Sequence, residues 1–222
     1  MEREAQIIEL SVDRTTVPEQ RASLLPEMED VSETGVRILL AGLDLFAARG
    51  YHATSIRDIA AGAGLQSASL YTHFASKEAI LSELVRTAYR VHNRALMSAL
   101  LKAGQDPKDQ LRCLIEAHVA AHCRWSKLAA VATREITNLS PEAAAAPIAL
   151  RDSSVALLVE IIQLGLSTGA FVIDQLEITL SAIGSLGTAV INWYPAQAAA
   201  YTPEQVGATY ADLTLKMVGA SS

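Results

Sequence analysis

The feature that most constrains the fold is a run of apolar residues spaced three and four positions apart. These residues are Val36, Leu39, Leu40, Leu43 and Phe46. Such spacing predicts an amphipathic α-helix with one face in the core. Ser32 is the predicted N-cap, because its hydroxyl can accept a hydrogen bond from a free helical N–H group. Gly50 is placed where a helix commonly ends in a left-handed residue.

Two short helices are predicted directly after this one. Thr54 or Ser55 caps a helix over residues 56–63, and Gly64 supplies a tight turn before a helix over residues 67–74. Ser76 then caps a long helix that begins at residue 77 and runs to about residue 102. Two helices joined by a tight glycine-containing turn are typical of a helix-turn-helix, whose second helix enters the major groove of DNA.

The third helix has the composition expected of a DNA-reading element. Its small residues are Ser67, Ala68, Ser69 and Thr72. Small side chains let the backbone approach base edges, and hydroxyl groups bond bases or phosphates. Leu70 and Phe74 are predicted to face the core, whereas Tyr71 and His73 point outward at phosphate height. Lys77 starts the next helix, where its charge suits a phosphate. The alternative is an ordinary three-helix corner with a solvated polar face.

The rest of the chain is also predicted to be helical. Half of all residues are hydrophobic but only 5% are aromatic, which favours packed helices over a β-sandwich. The predicted helices cover residues 108–125, 127–138, 141–168 with a break near Pro147, 176–194 and 203–218. We therefore expect an all-α protein in which a helix-turn-helix domain (residues 32–76) precedes a larger helical domain (residues 77–222).

Charge is distributed unevenly along the chain. Of the net charge of −6, residues 1–32 carry −5, residues 33–90 carry +1 and residues 91–222 carry −2. The proline- and glutamate-rich residues 1–31 are predicted to form a flexible acidic arm. The chain shows no signal peptide and no apolar stretch of about 20 residues, so we expect a cytoplasmic protein without a membrane partner.

Residues 36–84 resemble the DNA-binding domain of TetR-family regulators without a gap. The residues that carry this resemblance are Phe46, Gly50, Thr54, Ile59, Ala60, Ala63, Gly64, Leu70, Tyr71, His73, Phe74 and Lys77. The resemblance implies that a dimer binds double-stranded operator DNA. It also implies a larger C-terminal domain that dimerises and binds a small-molecule effector.

The resemblance implies specific DNA contacts as well. Phosphate contacts are expected from Thr54 or Ser55, Tyr71, His73 and Lys77. Base contacts are expected from the start of the third helix and from Arg57 on the second helix. Gln66 departs from the family pattern, which usually has Ser or Thr there. Glutamine is a poorer N-cap, so this helix begins more loosely or Gln66 itself reads an adenine edge.

The C-terminal region loosely resembles family members linked to lipid and acyl-CoA catabolism. The segments concerned are residues 122–139, 165–171 and 192–195. Helices 176–194 and 203–218 are apolar on every face and rich in small residues, so we expect them to form the homodimer contact. The implied effector is a small hydrophobic or acyl-CoA-like molecule.

Several side chains are candidates for the effector pocket. They are His118, His122, Trp125, Arg134, Arg151, Asn192 and Trp193. His118 and His122 lie one helical turn apart, a spacing that can ligate a metal. No third ligand lies near them in sequence, so no metal and no cofactor is expected. Arg134 and Arg151 suit a phosphate, although ion pairs with nearby acids are the ordinary alternative.

The sequence therefore predicts a repressor that its effector releases from a palindromic operator. No phosphate-binding loop, nucleophile elbow or metal-spaced Cys/His set is present, so no catalytic residue and no enzyme activity is expected. Two alternatives stay open. One is a protein-interaction module on a similar scaffold, and the other is an enzyme with a site buried in the helical bundle.

Overall fold

The computed structural model describes residues 25–26 and 31–220. Within them the chain forms nine α-helices and no strand, in agreement with the predicted all-α class. The helices are α1 (Glu33–Arg49), α2 (Ile56–Gly62), α3 (Ser67–Leu70), α4 (Lys77–Leu100), α5 (Pro107–Arg124), α6 (Ser126–Glu135), α7 (Pro141–Ser167), α8 (Leu176–Trp193) and α9 (Pro203–Met217). Short 3-10 helices, Ile136–Asn138 and Tyr194–Ala196, follow α6 and α8.

Capping residues fix the ends of the first two helices. The Oγ atom of Ser32 accepts a hydrogen bond from the N–H group of Gly35 at 3.1 Å, so Ser32 is the N-cap of α1 as predicted. Gly50 ends α1 with φ of 80°, a conformation that side chains disfavour. Ser55, rather than Thr54, caps α2 and forms a reciprocal capping box with Asp58.

The turn between α2 and α3 forms as predicted, but α3 is shorter than expected. Gly64 adopts φ of 67°, and the N–H group of Leu65 donates to the carbonyl of Ala60 at 2.8 Å. The α-helix ends at Leu70, and residues 71–73 continue as turns rather than as helix. Amide groups beyond Leu70 bond partly to carbonyls three residues back, which tightens the backbone before Phe74.

Two buried clusters hold the helices together. The first joins α1, α2 and α3 to α4 and α6, and its fully buried members include Leu39, Leu43, Phe46, Ile59, Leu70, Ile80 and Leu128. The second lies among α5, α7, α8 and α9, and its buried members include Leu96, Leu111, Ile162, Val190 and Ala211. Because α4 contributes to both clusters, it connects the DNA-binding module to the larger helical domain.

Two regions differ from the sequence prediction. Leu25 was assigned to the flexible arm, but it is only 2% exposed and packs in the first cluster. Apart from Leu25 and Pro26, the residues of the arm before residue 31 lie outside the described residues. The predicted break near Pro147 is wrong, because α7 continues through it. Ala144 and Ile148 pack in the first cluster on either side, and this packing offsets the hydrogen bond that proline removes.

Candidate nucleic-acid interface and buried cavity

The segment from Gln66 to His73 presents polar groups to solvent while one residue anchors it from behind. Leu70 is fully buried, and Phe74 packs against the same core cluster. The exposed residues are Gln66, Ala68, Ser69, Tyr71, Thr72 and His73, with Ser67 partly exposed. Leu70 therefore fixes the orientation of a surface on which hydroxyl groups predominate.

Two neighbouring hydroxyl groups have different surroundings. Thr54 is 1% exposed, and its Oγ1 donates to the carbonyl of Gly50 at 2.8 Å, so the structure excludes it as a phosphate contact. Ser55 is exposed, and its Oγ donates to Asp58 at 2.8 Å while capping α2. Of the two alternatives, only Ser55 is accessible to DNA. The pKa of Asp58 is lowered, first by its backbone hydrogen bond from Ser55.

Arg57 and Gln66 remain available for a ligand. Both are exposed, and neither side chain bonds to another residue in the described part of the chain. Gln66 occupies the N-cap position of α3 without a capping hydrogen bond, as expected for a poor N-cap. His73 is exposed, and its Nδ1 lies 3.3 Å from the Oγ of Ser32. Tyr71 is 52% exposed.

Lys77 is used inside the protein, contrary to the prediction of a free phosphate-binding cation. Its Nζ donates to the carbonyls of Tyr51 and Thr54, each at 2.8 Å, and lies 4.0 Å from the centre of the Tyr51 ring. Burial lowers the pKa of Lys77 from its ordinary value. The ammonium group therefore stabilises the turn before α2, because those carbonyls take two of its three donors.

Arg37 is a positioning residue that the sequence reasoning missed. Its guanidinium donates to the carbonyl of Ala63, immediately before the α2–α3 turn. A Cβ atom at Gly64 would lie 3.4 Å from the same guanidinium. Arg37, which lies on α1, thus stabilises the α2–α3 turn. The spacing of residues within one helix cannot reveal a contact between two helices.

A cavity of about 340 Å³ lies between α4, α5, α6, α7 and α8. Most of its wall is aliphatic, and its polar lining residues are Tyr89, His92, His118, His122, Trp125, Thr133, Arg151, Ser154 and Thr188. No acidic residue of the described chain lines it. The Nε2 atom of His118 and the Nε1 atom of Trp125 are buried without a hydrogen-bond partner among the described residues.

Four of the seven predicted pocket residues lie at this cavity: His118, His122, Trp125 and Arg151. The structure corrects the other three. Asn192 is exposed near the end of α8, and Trp193 donates from Nε1 to the Tyr210 hydroxyl at 3.3 Å. Arg134 directly follows the lining residue Thr133, but its side chain bonds to the carbonyls of Phe46 and Ala47 in α1, at the junction with the DNA-binding module. The side chains of these residues point away from the cavity. Their positions in the sequence did not determine this direction.

The junction is built by the last two residues of α6. The Nη2 atom of Arg134 donates to the carbonyl of Phe46 at 2.7 Å, and its Nε donates to Glu135 at 2.7 Å. Glu135 is 5% exposed and accepts a hydrogen bond from the N–H group of Tyr51 at 3.3 Å. The α1–α2 connection is therefore attached to the helix whose other residues line the cavity.

Three histidines meet at the cavity, which corrects the expectation that no third ligand lies near His118 and His122. His92 on α4 places its Nε2 2.8 Å from the Nδ1 of His118. The Nδ1 of His122 lies 2.8 Å from the carbonyl of His118. Burial lowers the pKa of His92 to about 3 and also lowers those of His118 and His122. Burial therefore favours the neutral form of all three rings.

An exposed helix-turn-helix joined to a cavity-containing helical domain defines the class of helix-turn-helix transcriptional regulators. Residues 38–84 match the family of bacterial regulatory proteins of the tetR type, and residues 104–218 match the tetracyclin repressor-like C-terminal domain. The second match alone covers more than half of the chain. The chain therefore belongs to the TetR family.

Individual relatives support this assignment. The transcriptional repressor KstR2 of Mycobacterium tuberculosis H37Rv is 62% identical over 42 residues, which cover 19% of this chain and 21% of that protein. The alignment thus spans about a fifth of the relative. A solved tetR-family regulatory protein from Rhodococcus RHA1 is 31% identical with a TM-score of 0.77, covering 86% of this chain and all of that one. The structure of KstR2 from Mycobacterium tuberculosis, described as a ketosteroid transcriptional regulator, is 26% identical with a TM-score of 0.77, covering 90% and 99%.

No helix in the described residues has the length and apolar character needed to cross a membrane.

Proposed function

We propose that this protein is a repressor that binds a palindromic operator as a homodimer and is released by a small apolar or acyl-CoA-like effector. The observation that carries the proposal is the segment 66–73, whose polar side chains are exposed while Leu70 is fully buried behind them. An element anchored from behind with exposed polar groups fits the major-groove reading mode of a helix-turn-helix. KstR2 of Mycobacterium tuberculosis, described as a transcriptional repressor, is 62% identical to the chain over 42 residues.

The proposed dimer contact is formed by α8 and α9. Only three residues of α8 are buried, namely Ile183, Gly187 and Val190, although the helix carries few charges. Exposed apolar side chains on the two helices are Leu176, Ile178, Leu213 and Met217. The inner side of α9 already packs on α5, where a Cβ at Gly207 would lie 2.9 Å from the carbonyl of Glu116. Its outer face therefore remains for a second copy, in keeping with two-fold operators.

The cavity supports an effector that is mostly apolar with one polar end. A volume of about 340 Å³ lies within the range of small-molecule sites, which starts at about 300 Å³. Trp125 offers a buried N–H group without an acceptor, which a carbonyl or carboxyl oxygen would satisfy. Arg151 adds a cation whose side chain is 51% exposed, paired with Asp152 at 3.2 Å. An acyl chain inside with an anionic group towards Arg151 fits this arrangement.

Release would act through α6 and α4. Ala129, Ala132 and Thr133 of α6 line the cavity, while Arg134 bonds to the end of α1 and Glu135 bonds to the α1–α2 connection. A ligand that displaces α6 therefore displaces the DNA-binding module. Operator half-sites lie about 34 Å apart, so a shift of a few ångströms takes one module out of register with its groove.

Arg57→Ala tests the proposed DNA surface. Its free guanidinium should neutralise one phosphate or bind a base, so the variant should lose affinity for DNA flanking the protein's own gene. If Arg57 meets a phosphate, the slope of log affinity against log salt should fall by about 0.9. Fluorescence anisotropy at several salt concentrations measures both quantities.

Arg94→Ala is the matched control. Arg94 is an exposed arginine on α4 that bonds to no other described residue, and it lies 17 positions beyond Lys77, roughly 25 Å along the helix. Its removal should leave affinity and salt slope unchanged. Equal behaviour of the two variants would contradict the proposed surface.

A further inference from the structure

Three histidines from α4 and α5 meet at the wall of the cavity. We propose that His92, His118 and His122 bind a divalent transition-metal ion of the zinc, cobalt, nickel or copper type. One ring nitrogen from each residue lies within 4.8 Å of the other two. The site is separate from the DNA surface, and it does not depend on the proposed repressor function.

The hydrogen bond between His122 and the His118 carbonyl leaves one ring nitrogen of His122 free to bind a metal ion. The carbonyl of His118 can only accept a hydrogen bond, so the Nδ1 atom of His122, 2.8 Å away, carries the proton. The Nε2 atom of His122 therefore holds a free lone pair. Such a bond to the far ring nitrogen is the usual means of orienting a metal-binding histidine.

The distances between the ring nitrogens are close to those of a metal site, so the three rings need to move only slightly to bind an ion. Bonds of about 2.0–2.1 Å at tetrahedral angles place ligand nitrogens roughly 3.4 Å apart. The closest pair, His92 Nε2 and His118 Nδ1, is separated by 2.8 Å, and every pair of donor atoms lies within 4.8 Å. Rotations about side-chain bonds on α4 and α5 supply movements of this size, since the rings adjoin open cavity volume.

The donor set selects the kind of ion. Imidazole nitrogens suit zinc, copper and nickel, whereas magnesium and calcium prefer oxygen ligands. The described cavity wall contains no carboxylate to supply them. Three protein ligands leave a fourth coordination position facing the cavity. A dication in a site with no acidic neighbour favours an anion at that position. Hydroxide or chloride would meet this requirement.

The competing explanation is a structural cluster held by its own hydrogen bonds. The Nε2 atom of His118 is buried without a partner under either explanation, 2.0 Å from where a Cβ of Gly187 would lie. A glycine at this point of α8 gives the ring space that a larger residue would remove. The fit of the ring against α8 holds His118 in place beside His92.

Cobalt titration tests the site directly. Untagged protein, stripped of metal and free of DNA and effector, is titrated with Co²⁺ while visible absorption is recorded. We expect intense ligand-field bands that saturate at one Co²⁺ per chain and disappear when Zn²⁺ is added. Because no DNA is present, this result is independent of operator binding.

His122→Asn removes the ligand while its amide can still donate to the His118 carbonyl. It should weaken Co²⁺ binding by about tenfold or more, whereas His52→Asn, at an exposed histidine outside the cluster, should bind like the wild type. Far-UV circular dichroism and thermal midpoints check folding, and His92→Asn replaces His122→Asn if the latter fails to fold. Absence of the bands in wild-type protein, or equal binding by wild type and a folded cluster variant, would overturn the proposal.

Discussion

The DNA-binding surface and the cavity are built in opposite ways. The surface takes its side chains from eight consecutive residues, 66–73, and presents them to solvent around one buried leucine. The cavity takes its polar groups from five helices and holds them among aliphatic side chains. His92 and His118 are 26 positions apart, yet their ring nitrogens are 2.8 Å apart.

This difference means that the two sites tolerate change differently. A DNA-reading segment depends on how its own backbone is anchored, so one core residue controls its orientation. A cavity depends on the packing of several helices, so many substitutions alter its volume by a small amount. Each prediction below compares the two regions or probes their junction.

Leu70→Ala should have the largest effect. Removing a fully buried leucine typically lowers the free energy of unfolding by about 2–5 kcal/mol, and here it also removes the anchor of the DNA-reading segment. We expect urea unfolding to show this loss. Affinity for the DNA flanking the protein's own gene should fall by an order of magnitude or more under conditions where the variant remains folded.

Leu111→Ala is its counterpart in the second cluster. Leu111 is equally buried and does not line the cavity, so a similar loss of stability is expected. DNA affinity should be unchanged, since α5 makes no part of the DNA surface. A parallel loss of DNA affinity in both variants would show that the two regions are not separable.

Ala129→Leu should have an intermediate effect, confined to the cavity. Acyl-CoA esters at about 100 times their dissociation constant should stabilise wild-type protein by about 2.7 kcal/mol. A leucine at this lining position reduces the space, and a tenfold weaker affinity would lower that stabilisation to about 1.4 kcal/mol. Thermal shift assays with esters of increasing chain length measure the difference.

Ala130→Leu serves as the control because Ala130 is the next residue of α6, is also half-buried and does not line the cavity. It should leave the ligand-dependent stabilisation unchanged. The same reduction in both variants would mean that α6 as a whole, rather than the cavity volume, determines ligand binding.

Glu78→Gln should have the smallest effect, at the junction of the two regions. The backbone N–H of Ser140 donates to Glu78 at 2.8 Å, and this bond lowers the pKa of Glu78 below its ordinary value. The carboxylate therefore stabilises the folded state above the unfolded pKa of about 4.3, and this contribution is lost as pH falls through the lower folded pKa. The thermal midpoints of wild type and variant should differ near pH 7 and converge in acid. A constant difference at all pH values would contradict this.

Local sequence signals predicted the fold well. Ser32 and Ser76 were each recognisable as N-caps from side chain and position, and the structure gives each a capping hydrogen bond. The turn at Gly64 was predicted because glycine readily adopts positive φ, and its φ in the structure is 67°. The failures, at Pro147 and at the end of α3, occurred where tertiary packing or tighter local hydrogen bonding replaced the expected geometry.

Site features that depend on residues close in sequence were predicted better than those that depend on contacts between distant residues. The exposed residues of the DNA surface follow from their order in one segment. The hydrogen bonds of Lys77 and Thr54 to backbone carbonyl groups were not predicted, because type and spacing of side chains do not reveal such partners. His92 was missed because its contact with His118 joins two helices, and helical periodicity carries no information about which helices are neighbours.

The arrangement of α6 also has a genetic consequence. One side of this helix forms cavity wall, and at its end Arg134 bonds to the end of α1 and Glu135 bonds to the α1–α2 connection. Under the proposed repressor function, alleles selected for constitutive expression of target genes should fall into two classes: those in the DNA-reading segment, and those at the cavity wall that imitate an inducer. Inducer-blind alleles should cluster at Glu135 and its hydrogen-bonded neighbours, which neither touch the inducer nor contact a base.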